Sequence, residues 1–404
     1  MHIVLVDSSE DHFVAELEGL GHSCNSLSAT EREALVDNVA DAEVIIVRST
    51  VISADAIAAA PHLGLIVRAG AGTDTIDVDA ASAAGIFVCN VPGQNAVAVA
   101  ELTMGLMIAI DRQIPAANAD FANGVWDKTG YSNARGLKGQ ALAILGLGNI
   151  GFEVASRAKG FGLSLHALQA SDRSATATQR IDELDIQIHE TQRELLGVAD
   201  IVTIHLPLNA DTENLVNTDF LSLMQPGAML INTSRGGLVN EQDLLKAMNE
   251  RGIRVGLDVY TSEPKGGTAQ WASPFSGHTN FVGTHHIGAS TAQAQNAIEN
   301  GVLQTIKEYE LGLPPNCVNI ASRPLGACAL AVRHRDEVGV LAGVLSCLRS
   351  AGINVQQMRN EIFDGSGASA AMATIRVSQT PTASTLATLE TLDHVLRIDV
   401  LGAE

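Results

Sequence analysis

The sequence predicts an α/β protein with two doubly wound, Rossmann-like parallel-sheet units followed by a smaller ferredoxin-like unit. Three observations predict it. Short, continuously apolar, β-branched runs alternate with helical patterns up to about residue 287. A turn with glycines at 146, 148 and 151 separates one such run from a helix. The stretch 326–404 reads strand, helix, strand, strand, helix, strand. A chain of 404 residues can build that many cores, and 46% hydrophobic with 17% charged residues marks it as folded rather than disordered.

In chain order, "HIVLVD", "VIIVRS", "LGLIVRAG" and "IFVCNVP" are the first strands. "EDHFVAELEGLG" and "DVDAASAAG" are helices between them, each stopped by glycine. A long apolar helix follows in "AVAVAELTMGLMIAI", too short for a membrane span and carrying Glu101. The next strands are "QALAILGLG", "LSLHAL", "ADIVTIHLP", "AMLINTS", "IRVGLDV" and "NFVGTHH". In "NEQDLLKAMNERG", Asn240 is a natural N-cap, Leu244, Leu245 and Met248 share one face, and Gly252 ends the helix. "STAQAQNAIENGVLQTIKEYELG" is a further helix, and 312–326 reads as a linker. The last unit then runs through "ACALAVRH", "GVLAGVLSCLRSAG", "NVQQMRNEIF", "SAAMATIRVS", "ASTLATLETLDHV" and "LRIDVLG", with a hairpin loop at 364–367.

A formal net charge of −20 argues against nucleic acid or an anionic membrane as a partner, since both need positive surface. It leaves room for a small anion held by a few arginines. Five cysteines without C-x-x-C spacing read as reduced thiols, and no metal site is expected. The N-terminus has acids where a secretory leader needs basic and then apolar residues, so a cytoplasmic protein is expected.

Gly146, Gly148 and Gly151 form G-x-G-x-x-G between strand and helix. That spacing permits a tight turn, backbone approach to a pyrophosphate, and close packing of helix on strand. The following strand, "LSLHAL", should end at the adenosine ribose, where an acid accepts both hydroxyls and repels a 2′-phosphate. Gln169 stands there instead. It can bond a hydroxyl but repels nothing, so NAD is expected and NADP left open. Asp172 at the ribose would favour NAD, and Arg173 would tolerate a 2′-phosphate.

Arg235, Glu263 and His286 each follow a predicted strand, at the sheet edge where such folds bind ligands. Arginine offers a planar fork to a carboxylate. A histidine beside a carboxylate can cycle as acid and base near neutrality. Together they suit reduction of a 2-oxo acid, although residue type alone singles out none of the twelve histidines.

The ordered series "VRST", "VRAGAGTDTIDVDAASAAGI", "NAVAVAELTMGLM", "LKGQALAILGLGNIG", "TIHLPLNADTENLVN", "LINTSRGGLVNEQDLLKAM", "GLDVYTSEP" and "HIGAST" resembles the D-isomer-specific 2-hydroxy acid dehydrogenases. The resemblance implies a discontinuous substrate domain (1–95 and 288–320), an inserted nucleotide domain (96–287) and a regulatory domain (326–404). It implies that Arg235 binds substrate, Glu263 pairs with the catalytic histidine, and His286 is that histidine, while His285 stands where the family commonly has proline. Arg48 and Arg68 match substrate-phosphate ligands, and the backbone of Gly70, Ala71 and Gly72 matches the loop holding the substrate carboxylate. Asp258 matches a residue near the nicotinamide amide. Asn149, Ile150, Pro207, Thr212, Thr233 and Gly288 fall along the dinucleotide.

Within that family the series is most like the branch that oxidises 3-phosphoglycerate to 3-phosphohydroxypyruvate in L-serine biosynthesis. A second reading is a glyoxylate or hydroxypyruvate reductase. A third, of another class, is a dinucleotide-sensing corepressor, against which the Arg–Glu–His set counts. Formate oxidation is disfavoured by Glu263, where those relatives carry Gln. Two departures are notable: Gln169 replaces the ribose acid, and "STVIS" after Arg48 lacks a second arginine found in some phosphoglycerate enzymes. The C-terminal unit resembles an ACT domain, with Val338 in place of a proline. There His334, Asp336 and Asn354 match positions that bind an amino-acid effector between paired domains. The resemblance also implies a homodimer or homotetramer, with the helix near residue 100 as a contact.

Overall fold

The computed structural model describes residues 1–171, 173–264, 268–312, 314–321, 323–363 and 369–402. Asp172 and the expected loop at 364–367 lie outside the described residues. The chain divides into two compact units, Met1–Asn319 and Ile320–Glu404.

The first unit holds two sheets, parallel throughout. The smaller contains β1 (His2–Leu5), β2 (Ser23–Ser26), β3 (Val44–Val47), β4 (Leu65–Arg68) and β5 (Phe87–Asn90), in the order β2-β1-β3-β4-β5. Helices α1 (Asp11–Gly19), α2 (Ala29–Glu33), α3 (Ala54–Ala58) and α4 (Val78–Ala83) connect its strands. Then come α5 (Ala96–Asp111) and α6 (Ile114–Ala122). The larger sheet contains β6 (Ala141–Leu145), β7 (Ser164–Leu168), β8 (Gln187–His189), β9 (Ile201–Ile204), β10 (Met229–Asn232), β11 (Arg254–Leu257) and β12 (Phe281–Gly283). Its connecting helices are α7 (Asn149–Gly160), α8 (Ala175–Leu184), α9 (Gln192–Val198), α10 (Thr218–Leu223) and α11 (Glu241–Arg251). Its order is β12-β11-β10-β9-β6-β7-β8, so the connections reverse direction between β6 and β9. A crevice at such a reversal is where open parallel sheets bind ligands.

Each sheet is buried on both faces, which is why its strands are continuously apolar. Phe13 and Leu17 of α1 cover one face of the smaller sheet together with Ile298, Val302 and Ile306 of α12 (Ala292–Glu310). Leu35, Ala56, Ile57 and Ala81 cover the other. On the larger sheet α5, α7 and α8 pack against one face, and α9, α10 and α11 against the other. Helix α11 begins as its sequence requires: the Asn240 side chain accepts from the Asp243 amide, and Gly252 ends it at φ 66°.

Two strands have no apolar run. "SCNS" (β2) and "QIH" (β8) are edge strands with mostly exposed or half-buried residues. Their polar composition follows from that position. Helix α5 buries Ala100, Met104, Leu106, Met107 and Ile110 in its own unit and leaves Glu101 and Gly105 exposed. Exposed apolar side chains lie beyond it, at Phe121, Val125 and Trp126.

The second unit contains β13 (Cys328–Arg335), α13 (Val340–Ser350), β14 (Val355–Phe363), β15 (Ala370–Val377), α14 (Ala383–Glu390) and β16 (Val395–Gly402). Its sheet is antiparallel in the order β14-β15-β13-β16, and α13 and α14 supply Val344, Leu348 and Leu389 to its core. This is the strand and helix order that the sequence predicts. Among the described residues, no helix is long and apolar enough to cross a membrane.

Gly301 lies inside α12, and a Cβ there would overlap Val91 Cγ1 just beyond β5. Mid-helix Gly→Ala ordinarily gains about 1 kcal/mol. Here the β-branched valine cannot swing away, so Gly301→Ala should instead cost about 1–3 kcal/mol. A lowered denaturant midpoint checks this, and a raised one would show that the contact yields.

Candidate active site

Two buried polar side chains at neighbouring strand ends shape the loops of the larger sheet. Asn232 ends β10, accepts from the Ser234 amide and hydroxyl at 3.0 and 2.8 Å, and donates to the Arg235 carbonyl at 2.8 Å. It thereby folds the turn that presents Arg235. Asp258, just past β11 and 1% exposed, accepts from the Thr284 hydroxyl (2.6 Å) and the Ile287 and Gly288 amides (2.9 Å each). Its own carbonyl accepts from the His286 amide at 2.7 Å.

Held between these bonds, His286 has φ 53°, a left-handed conformation that a non-glycine residue adopts only when its surroundings enforce it. Its Nδ1 meets Glu263 Oε2 at 2.7 Å, and Glu263 Oε1 accepts from the Tyr260 amide at 2.9 Å. The Glu263 bond raises His286 above an ordinary imidazole, against burial and Arg235. Burial would raise the Glu263 carboxyl, but His286 and the Tyr260 amide hold it below the usual carboxylate range. Nε2 is the ring nitrogen that Glu263 does not engage. His205, by contrast, is driven down to about 3 by burial and stays neutral at any physiological pH. His285 beside the dyad is exposed.

Arg235 reaches across to the loop after β4. One guanidinium nitrogen contacts Asp74 Oδ1 at 3.2 Å, and another donates to the Ser234 carbonyl at 2.8 Å. The guanidinium occupies the space that a Cβ on Gly72 would need. Gly236 has the same need behind it, because a Cβ there would overlap the Tyr260 carbonyl. "RGG" therefore couples the arginine loop to the glutamate loop.

Arg68 lies folded against Gly70, which has φ 141°, and donates to the Ala69 carbonyl at 3.2 Å. Its Nε is buried without a partner. Burial, then Arg235 and Arg48, bring its guanidinium down to about 10, so three positive charges share one neighbourhood. Asn90 fixes the loop by donating to the Ala71 carbonyl at 2.5 Å.

Asp7, Asp74 and Asn90 were not expected. Asp7 ends the first apolar run, and its partners lie over forty positions away. It accepts from the Arg48 and Ser49 amides at 2.6 and 2.9 Å and from the Thr50 hydroxyl at 2.8 Å. Burial would raise its pKa, yet these donors hold it below the usual carboxylate range.

The glycine turn fits a dinucleotide. Gly146 has φ 98°, and a Cβ there would come within 2.5 Å of the His205 carbonyl. A Cβ on Gly151 would overlap the Gly146 carbonyl, while the space beside Gly148 is open. Asn149 and Ile150 begin the twelve-residue α7, whose first amides have no side-chain cap. Free amides and the helix dipole suit a pyrophosphate. Gln169 follows β7 and is exposed. Beside it the Arg173 guanidinium donates to the Leu168 carbonyl. Thr212 donates to the Pro207 carbonyl at 2.7 Å and shapes that loop. Thr103 donates to the Val99 carbonyl at 2.8 Å, so its 2.9 Å bond with Thr233 takes the Thr233 proton. Gly288 is packed between Asp258 and Val99.

In the second unit His334 is buried, with Nδ1 2.7 Å from the Arg335 carbonyl and Nε2 3.1 Å from Asn360. Asp336 and Asn354 are exposed. Asn354 precedes Val355, which lies level with Val377 and Cys328, whereas His334 is level with Ala371. The two therefore sit at opposite ends of β13, roughly 20 Å apart. One unit does not bring the three together.

A family model described as D-isomer specific 2-hydroxyacid dehydrogenase, NAD binding domain, matches residues 104–288. Hydroxypyruvate reductase of Thermotoga maritima is 35% identical over 285 residues, which are 70% of this chain and 89% of that protein. The chain belongs to the D-isomer-specific 2-hydroxyacid dehydrogenases. As a member it carries that family's NAD-binding domain. D-3-phosphoglycerate dehydrogenase of Methanocaldococcus jannaschii is 36% identical over 325 residues, 80% of this chain and 60% of that relative. The chain thus spans about three fifths of the phosphoglycerate dehydrogenases it matches. The crystal structure of a glyoxylate reductase from Paecilomyes thermophila has a TM-score of 0.70 at 27% identity, covering 79% of this chain and 98% of that one.

Replacing Asp7 by Asn leaves donors facing an amide, and should cost about 1–3 kcal/mol at neutral pH. The depressed Asp7 stabilises the fold above its unfolded pKa, and that contribution is lost as pH falls through its folded value. The gap between wild type and Asp7→Asn in denaturant titrations should therefore close below about pH 4. A pH-independent gap would assign the effect to shape rather than charge.

Proposed function

We propose that this dehydrogenase interconverts 3-phosphoglycerate and 3-phosphohydroxypyruvate, with residues 1–95 and 288–320 as the substrate lobe and 96–287 as the nucleotide lobe. The observation that carries it is the Glu263–His286 pair at 2.7 Å, within electrostatic reach of Arg235; Arg68 in turn feels both Arg235 and Arg48. A substrate with a carboxylate at one end and a phosphate at the other answers that distribution of charge. The buried, unpartnered Nε of Arg68 favours a phosphate contact.

Arg235 grips the carboxylate and polarises the C2 oxygen. The Gly70–Gly72 backbone lies beside it. When bound, the nicotinamide supplies or accepts the hydride at C2. In reduction His286 gives its Nε2 proton to the C2 oxygen; in oxidation it takes that proton back. Glu263 fixes the tautomer and favours the imidazolium.

NAD is the expected dinucleotide. A neutral Gln169 with the Arg173 guanidinium nearby also tolerates a 2′-phosphate. The second unit is read as an ACT-like regulatory module over 326–404. The helix near residue 100, with the exposed Phe121, Val125 and Trp126 beyond it, is taken as the surface for a second copy. A second reading is hydroxypyruvate reduction, which the Thermotoga maritima relative favours.

His286→Asn, which keeps a residue tolerant of positive φ, should lower turnover of a 2-oxo acid by roughly 10²–10⁴ while NADH binding by fluorescence persists. Full turnover would overturn the enzyme reading in this form, and a binding-only protein would show none at the outset. Reduction needs protonated His286, so its rate should fall as pH rises through a value above 6.5. Glu263→Gln removes the raising partner and should move that fall to lower pH; an unmoved profile would separate the two residues.

Arg68→Ala should lower kcat/KM for 3-phosphohydroxypyruvate by about 10–100-fold and for hydroxypyruvate much less, if phosphate binding is its role. Equal losses, with hydroxypyruvate the better substrate, would favour the second reading. Comparing NADH with NADPH in wild type and Arg173→Ala tests the ribose site. The variant should lose NADPH activity selectively.

A further inference from the structure

Beyond the active site, the smaller sheet ends in an arrangement with its own chemistry. Strand β5 is an edge of that sheet, and residues 316–318 return antiparallel beside it through one bridge, Cys89 opposite Cys317. The Asn90 amide donates to the Asn316 carbonyl at 3.3 Å, and the Val318 amide to the Val88 carbonyl at 2.8 Å. These bonds flank the cysteines, so the two form a non-hydrogen-bonded pair. In such pairs the Cα atoms lie about 4.5 Å apart and both side chains leave the same face. That falls inside the disulfide range of about 4.4–6.8 Å.

Both sulfurs are present as thiols. Cys317 donates to Asn319 Oδ1 at 3.1 Å and is partly exposed, whereas Cys89 is fully buried. Burial, and then the neighbouring Cys317 thiol, push the Cys89 pKa up. The other three cysteines lie elsewhere: Cys24 on β2 at the opposite edge, Cys328 and Cys347 in the second unit.

We propose that Cys89 and Cys317 are a reversible disulfide-forming pair that fastens the end of the first unit to its edge strand. The oxidant is a low-molecular-weight disulfide such as oxidised glutathione. The accessible Cys317 thiolate attacks one glutathione sulfur, the glutathione S–S bond breaks, and one glutathione leaves. The Cys89 thiol then gives up its proton and displaces the second glutathione from Cys317. Two protein thiols are oxidised to one disulfide, and one glutathione disulfide is reduced to two thiols. The buried Cys89 makes the second step the slower one.

The bond replaces a cover held by one bridge and the Asn319 side chain, which bonds the Val88 amide and the Ile86 carbonyl at 2.9 and 2.8 Å. It also anchors the strand whose Asn90 holds the Ala71 carbonyl.

The test equilibrates the full chain with oxidised glutathione, quenches with acid, unfolds it, alkylates free thiols, and maps peptides by mass. The expected result is a Cys89–Cys317 linked peptide, three of the five cysteines alkylated, and an intact mass lower by two hydrogens. The thermal midpoint should rise by roughly 5 °C and return with dithiothreitol. Cys317→Ser, a change at the more exposed partner, should show neither the link nor the shift. Five alkylated cysteines, a stable glutathione adduct at Cys317 with Cys89 free, or a link between other cysteines would each overturn the proposal.

Discussion

The buried carboxylate of Asp258 is the constraint on which the candidate site depends. It lies just past a strand and is 1% exposed, so its charge is tolerable only because three donors converge on it. Those donors come from the loop that carries His286. Satisfying a buried charge and aiming the His286 ring are therefore one event. Asn232 does the same for Arg235 one strand away, with a neutral amide. The Asp258 amide in turn donates to the Asn232 carbonyl at 3.0 Å, so the two loops are fixed to one another through the sheet. Removing one of two such partners strands the other in a dry interior, which is worse than having neither.

The fold was legible wherever a strand is buried on both sides. "VIIV" and "ALAIL" announce themselves because nothing else requires unbroken aliphatic sequence. Edge strands were silent, since β2 and β8 meet water and carry its polar signature. Helix α6 was silent for a related reason: none of its residues is buried, so it has no apolar stripe to read. The site divided along the same line. Arg235, Glu263 and His286 stand in ordered motifs, and the structure brings them within electrostatic reach. Asp7 and Asp74 act on residues distant in sequence, and a lone aspartate carries no sign of its partners.

Two histidines show how environment, not residue type, assigns chemistry. His205 and His286 both follow strands of the larger sheet. One is enclosed, pushed far below neutrality and fixed as a neutral packing element. The other stands half-exposed against a carboxylate, where its charged form is favoured. The arginines follow the same logic in reverse. Crowding Arg68 beside two like charges is unfavourable, and an arriving anion relieves it.

The register of the second unit carries a consequence for scale. His334 and Asn354 occupy opposite ends of one sheet, separated by the length of a strand. A single small ligand cannot span them within one chain. A ligand that touches both belongs to a pair of chains, each lending one end. Its apparent affinity is then inseparable from self-association: dilution weakens binding, and the ligand in turn holds the pair together. A unit that held a ligand in this way would answer to how much protein is present as well as to how much ligand.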